Sequence, residues 1–153
     1  MRLVLYQPDI PQNAGALMRL AACLRVPVDL IEPCGFVLGD RMFRRAALDY
    51  LEHVDLTRHI SWEQYLRSRD EAGSGRLVLL STKGDTVYTR YRFHPTDNLM
   101  VGRESAGVPD DVHALADGRV RIPMAAHLRS LNVAVAAGMV LGEALRQTGG
   151  LDG

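Results

Sequence analysis

Leu99-Met100-Val101-Gly102-Arg103-Glu104-Ser105-Ala106-Gly107-Val108-Pro109 is an apolar run that halts at a glycine and opens into a polar, glycine-bracketed loop. A run apolar at every position, without alternation, suits a strand covered on both faces, as in a parallel sheet. The pattern recurs twice. Leu77–Leu80 leads into Ser81-Thr82-Lys83-Gly84, and Arg119–Ile122 leads into the long segment from Pro123 to Asn132. In open parallel sheets, ligands bind in the loops beyond the carboxyl ends of the strands. These three loops are therefore the first place to look for chemistry.

Helical patterns alternate with the strands. Arg2–Tyr6 reads as a short strand closed by a turn at Pro8 and Pro11. Asn13–Leu24 reads as a helix, with Leu17, Leu20, Ala21 and Leu24 on one stripe. Val28–Ile31 is the next strand, ended by Glu32-Pro33 and Gly35. Asp40–Leu51 reads as a helix or helical turns with a cationic start, and Thr57–Ile60 as a short strand. Ser61 has capping-box spacing to Gln64 ahead of Tyr65 and Leu66. The last helix is expected from about Asn132 to Gln147, ended by Gly149-Gly150. The alternation predicts one α/β domain over residues 1–153, a mostly parallel sheet flanked by helices.

Composition narrows the function. The chain has 153 residues, 18 Lys+Arg against 18 Asp+Glu, 47% hydrophobic and 24% charged residues, which excludes intrinsic disorder. A zero net charge argues against a general nucleic-acid coat, though not against a local basic patch. The longest nearly apolar run, Val133–Leu141, is far short of the ~20 residues of a membrane span. The opening MRLVLYQPDIPQN lacks a signal-peptide h-region and cleavage site, from which a cytoplasmic protein is expected. Cys23 and Cys34 have neither C-x-x-C spacing nor a histidine partner pair, so free thiols and no metal are expected. Neither G-x-G-x-x-G nor G-x-x-x-x-G-K-[ST] occurs, so a dinucleotide or P-loop site lacks its phosphate cradle.

Individual residues stay open to two readings. Arg103-Glu104 between Gly102 and Gly107 is either a plain connection with solvated charges or a loop whose backbone approaches a ligand. Asn13 is an N-cap or a site residue, and Arg19 a surface cation or a group reaching into a cleft. Gly15, Ala22 and Cys23 form a bed of small residues beneath Arg19. The last helix is apolar almost all round, with Ala134, Gly138 and Gly142 in register. Such a helix needs burial on every side, which points to a homodimer interface or to cover by its own sheet.

Taken in order, the motifs resemble those of a known family. Asn13 and Arg19 on the first helix are followed by Val101–Pro109, then by Ile122-Pro123-Met124 and Ser130-Leu131-Asn132. Together they resemble the three motifs of the SPOUT class of RNA methyltransferases, and within it the small (TrmL-like) enzymes acting on the ribose 2′-oxygen of the tRNA wobble nucleotide. Ile31-Glu32-Pro33, Arg44 to Tyr50 and Thr82-Lys83-Gly84 extend the match over nearly the whole chain. Each motif alone is unspecific; all of them in order are specific. Relatives often carry Pro where this chain has Arg103.

The resemblance implies a C-terminal trefoil knot, which periodicity cannot reveal because knotted chains are rare. It implies a homodimer, and S-adenosylmethionine held by the knot loops without metal, with S-adenosylhomocysteine as product. The implied cofactor residues are Leu80, Gly102, Ile122 and Ser130, with Met124 and Leu131 walling the adenine. The implied catalytic residues are Arg19, Asn13, Glu104 and Asn132. A guanidinium is effectively always protonated. Arg19 is therefore expected to act as a charged donor that fixes a phosphate and lowers the hydroxyl pKa, the proton passing to a phosphate oxygen, Glu104 or water. The anticodon stem-loop of tRNA is the implied partner. Arg41, Arg44, Arg45 and Arg129 are the candidate phosphate contacts, and His127 and Tyr50 the candidates for base stacking. Three alternatives stand beside this: the same chemistry at another tRNA or rRNA position, a non-catalytic RNA-binding dimer, and a flavodoxin-like module. The last is disfavoured because no phosphate-binding loop follows the first strand.

Overall fold

The computed structural model describes residues 1–153. In chain order the elements are β1 (Arg2–Tyr6), α1 (Pro11–Cys23), β2 (Val28–Ile31), α2 (Arg41–Ala47), a 3₁₀ turn (Leu48–Glu52), β3 (Leu56–His59) and α3 (Trp62–Glu71). There follow β4 (Leu77–Leu80), β5 (Thr86–Val87), a 3₁₀ turn (Tyr88–Arg90), β6 (Asn98–Val101), α4 (Asp110–Leu115), β7 (Gly118–Arg121) and α5 (Val133–Thr148). The strands form one seven-stranded sheet in the order β3-β2-β1-β6-β4-β7-β5. Every pairing is parallel, and Leu5 and Leu80 both register with Val101. Strand ends of β1, β6 and β4 are thus level, which puts the loops that follow them side by side.

Alternation along β1 sorts the two faces. Leu3 and Leu5 join a core with Leu17, Met18 and Ala21 of α1 and Val140, Leu141 and Ala144 of α5. Val4 and Tyr6 point the other way, into a smaller core with Tyr65 of α3 and Val112 of α4. Two covered faces explain why β1 and β6 carry apolar residues without a break. Asp29 is the polar exception. It is buried in β2, and its carboxylate accepts from Arg2 Nε (2.6 Å) and lies 2.8 Å from His59 Nε2, so no unpaired charge is left inside.

Two helix starts follow their sequence signals. Ser61 Oγ accepts from the Gln64 N–H (3.1 Å), while Gln64 Oε1 accepts from the Ile60 N–H, one residue before the cap. Asn132 caps α5 by accepting from the N–H groups of Ala134 (2.9 Å) and Val135 (3.2 Å), and Gly149 ends it with φ +73°. One expectation is corrected. Asn13 is not the cap of α1: the helix begins at Pro11 with Ile10 before it, and no side chain caps it. Proline presets the helical φ and lacks the N–H that a cap would satisfy, so it starts the helix two residues earlier.

The strand expected at Thr57–Ile60 is β3, one residue earlier, and that expected at Arg119–Ile122 is β7, also one earlier. β5 and α4 were not foreseen. α5 buries Ala137, Val140, Leu141, Ala144 and Leu145, but Val135 (55% exposed) and Met139 (40%) leave its other side open to solvent. No helix is long and apolar enough to cross a membrane.

A three-loop pocket as candidate active site

Each loop beyond β4, β6 and β7 is shaped by its own backbone bonds. After β6, Arg103 N–H donates to the Gly107 carbonyl (2.9 Å) and Gly107 N–H donates back to Arg103 (2.8 Å), closing a tight ring. Gly107 has φ +64°, and a Cβ on Gly102 would lie 2.7 Å from the Gly107 carbonyl carbon, so both positions require glycine. Arg103 uses its N–H in this ring, a bond that proline could not make. After β4, Ser81 N–H donates to the Val120 carbonyl (2.9 Å), and a Cβ on Gly84 would lie 2.5 Å from the Val120 carbonyl carbon. That loop is therefore pressed against β7. After β7, the long segment to Asn132 turns at His127 (φ +70°) and ends on the α5 cap.

The three loops, with the starts of α1 and α5, surround a cavity of about 460 Å³. The volume lies within the range of small-molecule sites. All six expected cofactor residues line it: Leu80, Gly102, Ile122, Met124, Ser130 and Leu131. So do Asn13, Glu104 and Asn132. Asn132 Nδ2 donates to Asn13 Oδ1 (2.9 Å), tying α1 to α5 at the pocket mouth. Asn13 thus carries a side-chain link across 119 residues instead of a cap. Arg103, which the sequence left open as solvated or as part of a ligand-facing loop, lines the cavity too, as do Ile10, Thr82 and Val108, which the sequence did not single out.

Leu80, Ile122, Met124 and Leu131 give the lining its apolar part, and Arg103 and Glu104 of the β6 loop are among its polar residues. Here Asp9, between β1 and α1, faces Glu104. Asp9 N–H donates to Glu104 Oε2 (3.0 Å), Glu104 N–H donates to Asp9 Oδ1 (3.2 Å), and the Ser105 hydroxyl donates to Asp9 Oδ2. Burial and, after it, contact with Asp9 push the Glu104 carboxyl above its ordinary range. Contact with Glu104 holds Asp9 below its own. The two behave as one pair with any shared proton on Glu104. Asp9 escaped sequence reasoning, its only signal being a carboxylate between two turn prolines. The Arg103 guanidinium sits 5.7 Å from the Tyr6 ring centroid.

Other expected residues stand apart. Arg19 is exposed on α1, lines no part of its own chain's pocket, and lies 4.9 Å from the Tyr50 ring centroid. Tyr50 therefore has a face engaged by Arg19 before any base could stack there. Arg41, Arg44 and Arg45 are exposed along α2 and enter no ion pair, and the same holds for Arg129 in the β7 loop. Cys23 is exposed, and burial pushes the Cys34 thiol up to about 11. No three His, Cys, Asp or Glu side chains are grouped to hold a metal ion.

The family model described as the SpoU rRNA Methylase family matches residues 1–142. A tRNA (cytidine(34)-2′-O)-methyltransferase of Beijerinckia indica subsp. indica is 60% identical over 149 residues, covering 97% of this chain and 92% of the relative. A solved structure concerned with 2-OH methylation of C/U34 on tRNA superposes with a TM-score of 0.90 at 44% identity, covering 95% of this chain and 94% of the other. The SpoU methyltransferase AviRb of Streptomyces viridochromogenes, solved with AdoMet, superposes with a TM-score of 0.86 at 28% identity over 96% of this chain and 57% of its own.

Proposed function

The chain belongs to the SpoU rRNA methylase family, and on that footing we propose that it is a tRNA 2′-O-methyltransferase acting on the ribose of nucleotide 34. The observation that carries the reading is the convergence of Leu80, Gly102, Ile122, Met124, Ser130 and Leu131 with Asn13, Glu104 and Asn132 on one cavity. Residues 1–153 act as a single domain, with the C-terminal trefoil knot that the family implies.

The pocket fits S-adenosylmethionine. Apolar walls suit an adenine, and a Cβ at Gly107 would meet nothing within 4 Å, so the loop leaves room for a ligand against its backbone. The donor supplies a methyl group made electrophilic by the sulfonium that bears it, and no metal is needed to activate it. The protein's task is then positioning and the handling of one proton. Glu104 would accept the proton that the 2′-hydroxyl gives up when its oxygen takes the methyl group, the donor departing as S-adenosylhomocysteine. A carboxyl whose proton affinity is raised is the better acceptor near neutral pH. Asn13 and Asn132 hold the mouth of the pocket in place.

Arg19 fixes the neighbouring phosphate as a charged donor, and it does so for the partner copy of a homodimer. Two facts support this: it lies outside its own pocket, and Val135 and Met139 leave an open apolar strip on α5 beside that pocket. Arg41, Arg44, Arg45 and Arg129 bind backbone phosphates of the anticodon stem-loop, in the cytoplasm where tRNA is used. The test is ribose-methylation mapping of tRNA from cells lacking this chain. Loss of the methyl at nucleotide 34 alone, restored by the wild-type chain and not by Arg19→Ala, is expected. Loss at another tRNA or rRNA position, or no loss, would refute the assignment.

A further inference from the structure

Asp9 has no part in the roles above, yet it is among the most tightly held side chains around the pocket. Its N–H and its two carboxylate oxygens all engage the β6 loop, at Glu104 and Ser105, across more than ninety residues of sequence. From the other side, the β2–α2 loop presses on it: Gly35 N–H donates to the Pro8 carbonyl (2.9 Å), and a Cβ on Gly35 would lie 2.8 Å from Asp9 Cα. Asp9 is thus seated between the β6 loop, which its carboxylate engages, and the β2–α2 loop, which packs closely against its backbone.

We propose that Asp9 is a positioning residue for methyl transfer, one whose main-chain N–H holds the Glu104 carboxylate at the pocket edge and whose own carboxylate sets a negative charge beside it. The inference rests on the reading of Glu104 as proton acceptor. Each carboxylate accepts from the other residue's main-chain N–H, and two negative groups held as neighbours disfavour double ionisation, so the less exposed one becomes the stronger base. The directions agree, Glu104 being held above its ordinary range, by burial first and then Asp9, and Asp9 being held below.

The surrounding groups leave Asp9 as the acting charge. Arg103, in the same loop, stacks over Tyr6 at the end of β1 (5.7 Å). Glu32, in the β2–α2 loop, is bridged to Arg58 (2.6 Å), and Cys34 beside it stays neutral because burial pushes its thiol up to about 11. Asp110 and Asp111, at the start of α4, are exposed to water. Asn13, on α1, is uncharged.

The experiment pairs two readouts on the full-length protein. Carboxyl-carbon NMR titration follows Asp9 and Glu104 directly, and single-turnover methylation of tRNA is followed against pH. In the wild-type protein the two carboxyls are expected to titrate as a coupled pair, Glu104 last. Asp9→Asn keeps the shape of the clamp and removes the charge, so the Glu104 titration and the acid limb of the rate profile should both fall by about one unit. Glu104→Gln should abolish that limb. Asp9→Glu, which restores the charge, should restore the limb. The proposal is overturned if Asp9→Asn lowers the rate by a constant factor at every pH with the Glu104 titration unmoved. It is equally overturned if Glu104 titrates as an isolated carboxyl in the unsubstituted protein, a result that needs no variant to fold. Coupled titration in a protein that methylates no RNA supports the pairing and refutes the function proposed above instead.

Discussion

Arg19 is exposed on α1 with its guanidinium over the Tyr50 ring. A stacked, forked cation differs from an ammonium in geometry as well as in hydration. Arg19→Lys is therefore expected to lower the methylation rate roughly 10²-fold, the scale of losing one aimed donor, while leaving donor binding by calorimetry unchanged. Near-normal turnover would remove Arg19 from the mechanism. The two thiols offer a second check. Thiolate is the reactive form, so Cys34, pushed up to about 11 by burial, should resist iodoacetamide at pH 8 while exposed Cys23 is alkylated, as read by mass spectrometry of tryptic peptides. At this scale the pocket-lining residues were reached through the family resemblance, since no local pattern says which loops meet. Asn13 was legible as important but not in kind: Pro11 took over the helix start and freed its amide for Asn132. Asp9 was not legible, since its partner lies 95 residues away and no local pattern announces it.

α1 and α2 pack through Gly15, where a Cβ would lie 2.5 Å from Ala46 Cβ and 2.8 Å from the Ala47 nitrogen. Alanine would gain about 0.5–1 kcal/mol of helix propensity, but overpacking against backbone costs about 1–3 kcal/mol. Gly15→Ala is thus expected to destabilise the fold by about 1–2 kcal/mol in urea denaturation, because neither the Ala46 Cβ nor the main chain of Phe43 and Ala47 can turn aside. A gain in stability would mean that α2 yields freely. The same close approach explains the Gly15 position of the small-residue bed beneath Arg19, whereas Cys23 of that bed is exposed. Elements with a period or an unbroken apolar run were legible: α1, α3 and α5 by the first, the apolar strands by the second. β5 was not, because two residues carry no period and it exists by pairing with β7 alone. Nor was α4, six residues with a single buried position, Val112, and no side-chain cap.

For the molecule as a whole, the zero net charge hides an uneven distribution. Arg41, Arg44 and Arg45 stand together on α2 with no carboxylate paired to them. If each meets a phosphate, tRNA affinity falls steeply with salt. Replacing all three by alanine should flatten the slope of log affinity against log salt by about 2 units, measured by filter binding. An unchanged slope would place the RNA elsewhere. The parallel α/β architecture was legible from unbroken apolar runs, whereas strand order and threading were not, since both depend on contacts distant in sequence. The central claim is that the three-loop pocket delivers a methyl group to one ribose. Its most direct test incubates the purified protein with tRNA and S-adenosylmethionine bearing a labelled methyl group, then locates the label by nuclease digestion and mass spectrometry. The account predicts one methyl per tRNA on the 2′-oxygen of nucleotide 34, lost in Gly102→Val, whose side chain would meet the Gly107 backbone. Label on a base, label on another nucleotide, or full transfer by Gly102→Val would contradict it.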